Sequence, residues 1–351
     1  MKASFISNMS LQNAMRLTVA KAQKEMMQLQ EEMVTERHAD VGAVLGAKTA
    51  RTLNLHRDLQ RMEALKSTNA LTTQRLAASQ QALGQMSTAA NDAMEVLIAL
   101  SGITSADQLK LAQSSITSAL STFTAAANTS FSGEYLFSGI NTDVMPLKDY
   151  LQTSPPSGAK AAFDTAFSNF MTSNGFASTE EITPAAMKSF IADLETSFND
   201  DSYWQANWSQ ASDENMQSRI STSETVQSST NANVGGMRSL ALGLVLGQEL
   251  LTLNLGEQTR KAVTDATIDQ VGKAISGIDG ERSKLGISEA RVKQANTSLN
   301  AQVTILSKSI RDMEGIDTYE VATRVTTLES QLSLAYTLTS RIQKLSLLNY
   351  L

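Results

Sequence analysis

The feature that most constrains this chain is a segment without proline and with heptad spacing, from Thr49 to Leu100. Two seams of seven-residue spacing run through it, and nine of their twelve positions are apolar; the exceptions are Asn69, Thr72 and Ser79. Such a repeat keeps apolar side chains on one side of a helix. A helix of fifty residues spans about 75 Å, which is longer than a compact domain of this size needs. The segment therefore predicts a long helix that pairs or bundles with others.

A second apolar stripe lies in residues 288–313, and we expect it to pack against the first. Stripes of leucine and methionine at helical spacing most often form an ordinary core. We therefore assign both segments to the core of the chain itself. The candidate rod-core residues are Met62, Leu65, Leu76, Leu83, Met86, Leu97, Leu100, Val292, Leu299 and Leu306.

Both ends of the chain also carry helical stripes. A first helix is predicted over residues 10–33 and a last helix over 318–348, each beyond a glycine-containing break. Because isolated helices bury little apolar surface, we expect neighbouring subunits to complete the packing. We also expect these helices to be poorly ordered in the free subunit. The candidate assembly-interface residues are Leu11, Met15, Ala22, Met26, Leu29, Met33, Val325, Leu328, Leu332, Ala335, Leu338, Ile342 and Leu345.

The composition changes between the two halves. Residues 137–235 contain all four prolines, both tryptophans and seven of the ten phenylalanines. Short helices over 159–171 and 184–198 and a hairpin over 215–228 are predicted there. This texture indicates a small mixed domain inserted between two helical halves.

The other segments predict helices with few interruptions. We expect a break or loop over 39–47, a helix over 109–127 and a turn or short strand over 131–146. After Gly236 we expect separate helices over 237–254, 258–275 and 288–313.

These patterns predict a mainly α protein: an elongated helical rod or coiled coil, formed by the N- and C-terminal halves, with a small inserted mixed α/β domain. The inner long helices should bundle and the outermost helices should lie side by side. The predicted division is terminal helices for assembly at 1–44 and 314–351, a helical rod at 45–136 and 236–313, and an inserted domain at 137–235.

Composition and motifs argue against several classes of function. The net charge is -6 and the sequence has no basic stripe, which argues against nucleic-acid binding. No cluster of Lys or Arg lies beside an apolar face, which argues against binding at a membrane surface. The absence of cysteine excludes thiol catalysis and Cys-ligated metals. His38 and His56 have no second ligand at helical spacing, so we expect surface or local hydrogen-bonding roles. We predict no catalytic, cofactor or metal residues, and no enzyme.

Several segments resemble the bacterial flagellin superfamily, and within it the hook-associated branch. At 135–143 the chain reads Tyr-Leu-Phe-Ser-Gly-Ile-Asn-Thr-Asp, similar to the family's segment leading into the outer domain. Glu36 is a departure, because the family usually has Gly in this turn. Flagellins tend to stop near Leu-Ser-Leu-Leu, whereas this chain continues with Asn349-Tyr350-Leu351, as the hook-associated branch does. Further resembling segments are 5–8, 35–40, 285–288 and 309–312.

The resemblance implies a structural subunit at the junction between hook and filament. It implies assembly through the terminal helices with other copies of the chain, the first hook-associated protein and flagellin. It also implies an extracellular place in the flagellum, a type III export chaperone that holds the C-terminal helix, and export without a cleaved signal peptide. The opening residues contain no apolar run of signal-peptide length, consistent with such a route.

Three other functions stay open. The first is flagellin itself, the bulk subunit of the filament, which would share the ends and the rod. The second is a coiled-coil signalling module such as a chemoreceptor hairpin, although such modules lack a mid-chain domain with tryptophan and proline. The third and most remote is an enzyme within residues 137–235.

Overall fold

The computed structural model describes the backbone of residues 8–100 and 106–348, and the side-chain surroundings of residues 10, 13–100 and 107–341. Long helices dominate these ranges, which confirms the predicted mainly α class. The helices are α1 (Asn8–Thr35), α2 (Val41–Leu45), α3 (Thr49–Leu100), α4 (Ala106–Ala127), α5 (Gly158–Asn174), α6 (Pro184–Asn199), α7 (Asp201–Asn207), α8 (Gly235–Leu250), α9 (Glu257–Glu314) and α10 (Thr318–Leu348).

Two small antiparallel hairpins accompany the helices. Strands β1 (Ser130–Phe131) and β2 (Glu134–Tyr135) pair with Ser130 opposite Tyr135. Strands β3 (Gln217–Arg219) and β4 (Thr225–Gln227) pair with Ser218 opposite Val226, within the hairpin predicted over 215–228. Short 3-10 helices lie at Gly46–Lys48 and Thr179–Glu181.

The chain divides into two compact units. The first comprises Met1–Ala64 and Leu299–Leu351, and the second comprises Leu65–Ser298. Helices α3 and α9 each continue from one unit into the other. The three-part division predicted from the sequence stays a prediction.

The second unit has an extensive aliphatic and aromatic core. It contains Leu76, Leu83 and Leu97 of α3, and it continues through α4, α8 and α9 into the segment between residues 137 and 235. Within that segment the rings of Tyr150, Trp208 and Trp204 stack in a column, with centroids 5.3 and 5.5 Å apart. The inserted segment therefore shares one hydrophobic cluster with the helices that flank it.

Helix α9 corrects one prediction. The sequence suggested separate helices over 258–275 and 288–313, but one helix of 58 residues covers both. Gly277, Gly280 and Gly286 lie between the two predicted segments. Gly277 lies where α8 and α9 approach closely: a Cβ on Gly277 would lie 2.5 Å from Cα of Gly236. Because the range has no proline, glycines that retain helical dihedrals do not end it.

Capping side chains explain where the shorter helices begin. Asp40 Oδ1 accepts from Ala43 N at 2.8 Å and opens α2, so the predicted loop at 39–47 is largely helical. Ser157 and Thr183 cap α5 and α6 in the same way. Asp200 Oδ1 accepts from Tyr203 N at 2.8 Å and opens α7, a helix that the sequence reading missed.

Candidate assembly surface on the terminal helices

Helices α1 and α10 pack against each other in the first unit, as the sequence predicted for the outermost helices. Gln23 Nε2 donates to Tyr336 Oη at 2.7 Å, and Arg324 Nη2 lies 3.0 Å from Glu25 Oε1. These contacts pair higher residue numbers of α1 with lower residue numbers of α10, so the two helices are antiparallel.

Most of the predicted assembly-interface residues are shielded within the chain. Leu29 and Leu332 are buried. Thr339 Oγ1 lies 3.9 Å from Met15 Sδ, which places one predicted residue directly between the two helices. The half-buried members of the set are Met15, Ala22, Met26, Val325, Leu328 and Ala335.

The remaining predicted interface residues divide into two groups. Met33 and Leu338 are exposed. The side chains of Leu11, Ile342 and Leu345 lie outside the described residues. Val321 is buried in α10 and was not in the predicted set, although it lies one helical turn before Val325.

A second, exposed set of apolar side chains lies on the same helices. Met27 and Val34 of α1 are 68% and 85% exposed, and Leu17 is also largely exposed. Ala20, Met27 and Val34 are seven residues apart, so they form a stripe about a third of a turn away from the shielded face. We call Ala20, Met27 and Val34 the outer stripe of α1.

Helix α10 has a corresponding exposed face. Leu334 is 67% exposed, and Leu338 lies one turn further on. Tyr319 and Tyr336 are also exposed. Each terminal helix therefore has one apolar face used within the chain and another that faces solvent. The seven-residue spacing of Ala20, Met27 and Val34 was the signal available in the sequence.

The predicted rod-core residues lie in the interior of the two units. Those that are buried are Leu76, Leu83, Met86, Leu97, Leu100, Val292 and Leu299, and those that are half-buried are Met62, Leu65 and Leu306. The polar seam residue Asn69 is also buried. Its Nδ2 donates to Asn296 Oδ1 at 2.8 Å and to Ile220 O at 2.9 Å. This contact joins α3, α9 and the loop of the β3–β4 hairpin.

Both histidines have local partners in the first unit. His56 Nε2 lies 2.8 Å from Glu314 Oε1, and His38 Nδ1 lies 3.7 Å from Glu32 Oε1. Over residues 8–100 and 106–348, no group of three or more His, Cys, Asp or Glu side chains is arranged to hold a metal ion. Within the same ranges, no helix is long and apolar enough to cross a membrane.

Two family models match the two ends of the chain. The model of the bacterial flagellin N-terminal helical region matches residues 6–142. The model of the bacterial flagellin C-terminal helical region matches residues 268–351. Together they cover more than half of the chain and leave out most of the inserted segment. A search of curated protein sequences finds no match.

Solved structures with a similar fold come from three bacteria. A candidate flagellar hook-associated protein from Vibrio parahaemolyticus has a TM-score of 0.53 and 12% identity, over 76% of this chain and 97% of that one. FlgL from Bacillus cereus has a TM-score of 0.50 and 11% identity, over 74% and 99%. The flagellar hook-associated protein-3 from Legionella pneumophila has a TM-score of 0.51 and 10% identity, over 74% and 98%. At this identity the likeness concerns the fold.

Proposed function

Because this chain belongs to the bacterial flagellin family, whose two helical regions match both of its ends, we propose that it is a structural subunit of the flagellum at the junction between hook and filament. It acts by assembly rather than by catalysis. The observation that carries the proposal is the pairing of α1 with α10, with a further apolar face of each helix left in solvent.

The thin core of the first unit supports assembly through these helices. The buried apolar side chains described there are Leu29, Leu299, Ile310, Val321 and Leu332. A unit with so few gains little stability from its own burial. Neighbouring subunits that cover Met27, Val34 and Leu334 would add the missing apolar contacts. The interface would then use the outer faces, together with those predicted residues that are only half-buried.

The choice of the junction over the bulk filament has two supports. The three structural relatives named above are described as hook-associated proteins or FlgL. Their similarity to this chain covers nearly the whole length of each relative. The tail Asn349-Tyr350-Leu351 also resembles the hook-associated branch. The partners in this proposal are other copies of the chain, the first hook-associated protein and flagellin.

Deletion of the gene tests the junction directly. Cells without it should build hooks but no filaments, and should release flagellin into the medium. Reintroducing the wild-type gene should restore the filaments. Normal filaments in the deletion strain would contradict a role at the junction.

A separate measurement distinguishes the junction subunit from flagellin. Purified flagellin grows long filaments when it is seeded or salted out, and a junction subunit should not. Long filaments grown from this chain alone would favour the alternative, a bulk filament subunit, which the flagellin family models also suit.

The proposal extends to export. The chain would leave the cell through the flagellar type III apparatus without a cleaved signal peptide, with a chaperone holding the C-terminal helix beforehand. Helices α1 and α10 would gain full order only on incorporation. Limited proteolysis of the free subunit should then remove both ends before it cuts α3 or α9. Ends as resistant as those two helices would contradict this ordering step.

A further inference from the structure

One buried carboxylate lies where four parts of the first unit meet. Glu314, the last residue of α9, is only 3% exposed. Its side chain contacts Arg37 in the turn after α1 and His56 in the second turn of α3. The residues that follow it, Gly315 and Ile316, lead into α10.

The two carboxylate oxygens serve different partners. Oε2 accepts from Arg37 Nη2, and Oε1 lies 2.8 Å from His56 Nε2. A carboxylate can only accept, so Nε2 must carry the hydrogen and donate it to Glu314. Arg37 Nη2, 3.2 Å from the same Nε2, is then a close neighbour of that nitrogen and not its hydrogen-bond donor.

Backbone contacts hold the same crossing. His38 N donates to Glu314 O at 2.9 Å, and Ile316 N donates to Glu36 O at 3.4 Å. Arg37 and Gly315 form an isolated antiparallel bridge. Thr52 Oγ1 of α3 also lies 3.7 Å from Met313 Sδ of α9. The turn after α1 and the turn before α10 are thus paired, and α3 supports both.

We propose that Glu314 is a latch, meaning the buried side chain that ties the turn after α1 and the turn before α10 to the start of α3. The direction in which the terminal helices leave α3 and α9 then depends on this one carboxylate with its partners Arg37 and His56. Of the three side chains only Glu314 is buried, so removing Arg37 or His56 leaves a buried carboxylate with less compensation. This inference concerns the fold of the chain and does not rest on the proposed function.

The test is amide hydrogen exchange of the full chain carrying Glu314→Gln. Glutamine matches the size of the carboxylate but has no charge and only one acceptor oxygen, so it cannot accept from both Arg37 and His56. The amides of His38 and Ile316 should exchange at least about tenfold faster, while those of α8 in the second unit should stay within about twofold of wild type. The matched control is Glu320→Gln, the same change at an exposed position of α10.

Substitutions at His56 separate its hydrogen bond from its packing. His56→Gln keeps an N–H donor for Glu314 and should retain most of the protection, whereas His56→Leu should lose it. If Glu314→Gln fails to fold, the latch is still tested by the difference between His56→Gln and His56→Leu. The single change Arg37→Gln provides a further test.

Two results would overturn the inference. One is exchange at His38 and Ile316 that stays within about twofold of wild type in both Glu314→Gln and His56→Leu. The other is an acceleration in α8 as large as that at the two turns, because the carboxylate would then support the whole chain and not this crossing.

Discussion

At the scale of single residues, the turn after α1 is made by a residue that does not favour its backbone conformation. Glu36 has φ of 53°, in the left-handed region. Residues other than glycine occupy this region at a cost of about 1 kcal/mol. The resemblance to flagellins led us to expect glycine here, and the left-handed φ of Glu36 is one that glycine adopts without strain.

Glu36→Gly should therefore stabilise the first unit, by about 0.5–1 kcal/mol once the larger unfolded-state entropy of glycine is included. Denaturant-dependent hydrogen exchange at His38 measures the change. The control Glu31→Gly places glycine inside α1 and should destabilise by about 1 kcal/mol. If both variants changed the free energy of unfolding in the same direction, the strain argument would be contradicted.

The buried hydroxyl of Tyr150 should make the stability of the second unit depend on pH. Its Oη donates to Glu249 Oε1 at 2.9 Å. Burial, and then the nearby Glu249 carboxylate, raise the pKa of Tyr150 above its usual range. The folded chain keeps this proton when the unfolded chain releases it, so the stabilisation is present below about pH 10 and is lost as pH rises above it.

Urea unfolding of the second unit should show this dependence. Above about pH 10 the free energy of unfolding should fall by up to about 1.4 kcal/mol per pH unit from this residue. Tyr150→Phe should flatten that fall, and the exposed Tyr319→Phe should not. An unchanged slope in Tyr150→Phe would rule out Tyr150 as its source.

At the scale of elements, the contact between α8 and α9 depends on two glycines. A Cβ on Gly277 would lie 2.5 Å from Cα of Gly236, and a Cβ on Gly236 would lie 2.7 Å from the carbonyl carbon of Gly277. Two helix backbones therefore meet without a side chain between them. This close approach of α8 gives Gly277 a packing role within the continuous helix α9.

Gly277→Ala should destabilise the second unit by about 1–3 kcal/mol, because backbone atoms must move apart. Gly280→Ala, three residues on in the same helix, has open space around its Cβ and should stabilise by about 0.5–1 kcal/mol. Thermal unfolding followed by circular dichroism compares the two variants. Similar effects of both would show that the helices do not need this contact.

At the scale of the whole molecule, substitutions on the two faces of α1 should have different effects. A charge on the outer stripe should leave the subunit folded but hinder its assembly, because the side chain is in solvent in the free chain and would be buried among neighbours. The shielded face should behave in the opposite way, since substitutions there remove contacts within the chain.

Met27→Glu should therefore keep the melting temperature of the purified chain within about 2 °C of wild type. In the deletion strain it should restore at least about tenfold fewer filaments. Gln28→Glu introduces the same charge one residue on, turned about 100° around the helix, and should restore them fully. If both variants restore filaments equally well, the outer stripe is not part of the interface.

The periodicity of the sequence predicted the terminal helices but could not assign each of their apolar faces to a partner. The stripe through Met15, Met26 and Leu29 was predicted to meet other subunits, and it is largely shielded within the chain next to α10. A stripe shows that a helix face will be buried, but it does not name the partner. The partner depends on which segments meet in space, and the outer stripe of α1 became distinct only then.

The sequence by itself determined the helices α1, α3 and α10 and the mainly α class. These follow from local rules, namely helical and heptad spacing of apolar residues and missing prolines. The tertiary structure decided the continuity of α9, the shared core of the inserted segment and the latch at Glu314. Each of these joins residues far apart along the chain, where close approach and burial, and not local propensity, set the free energy.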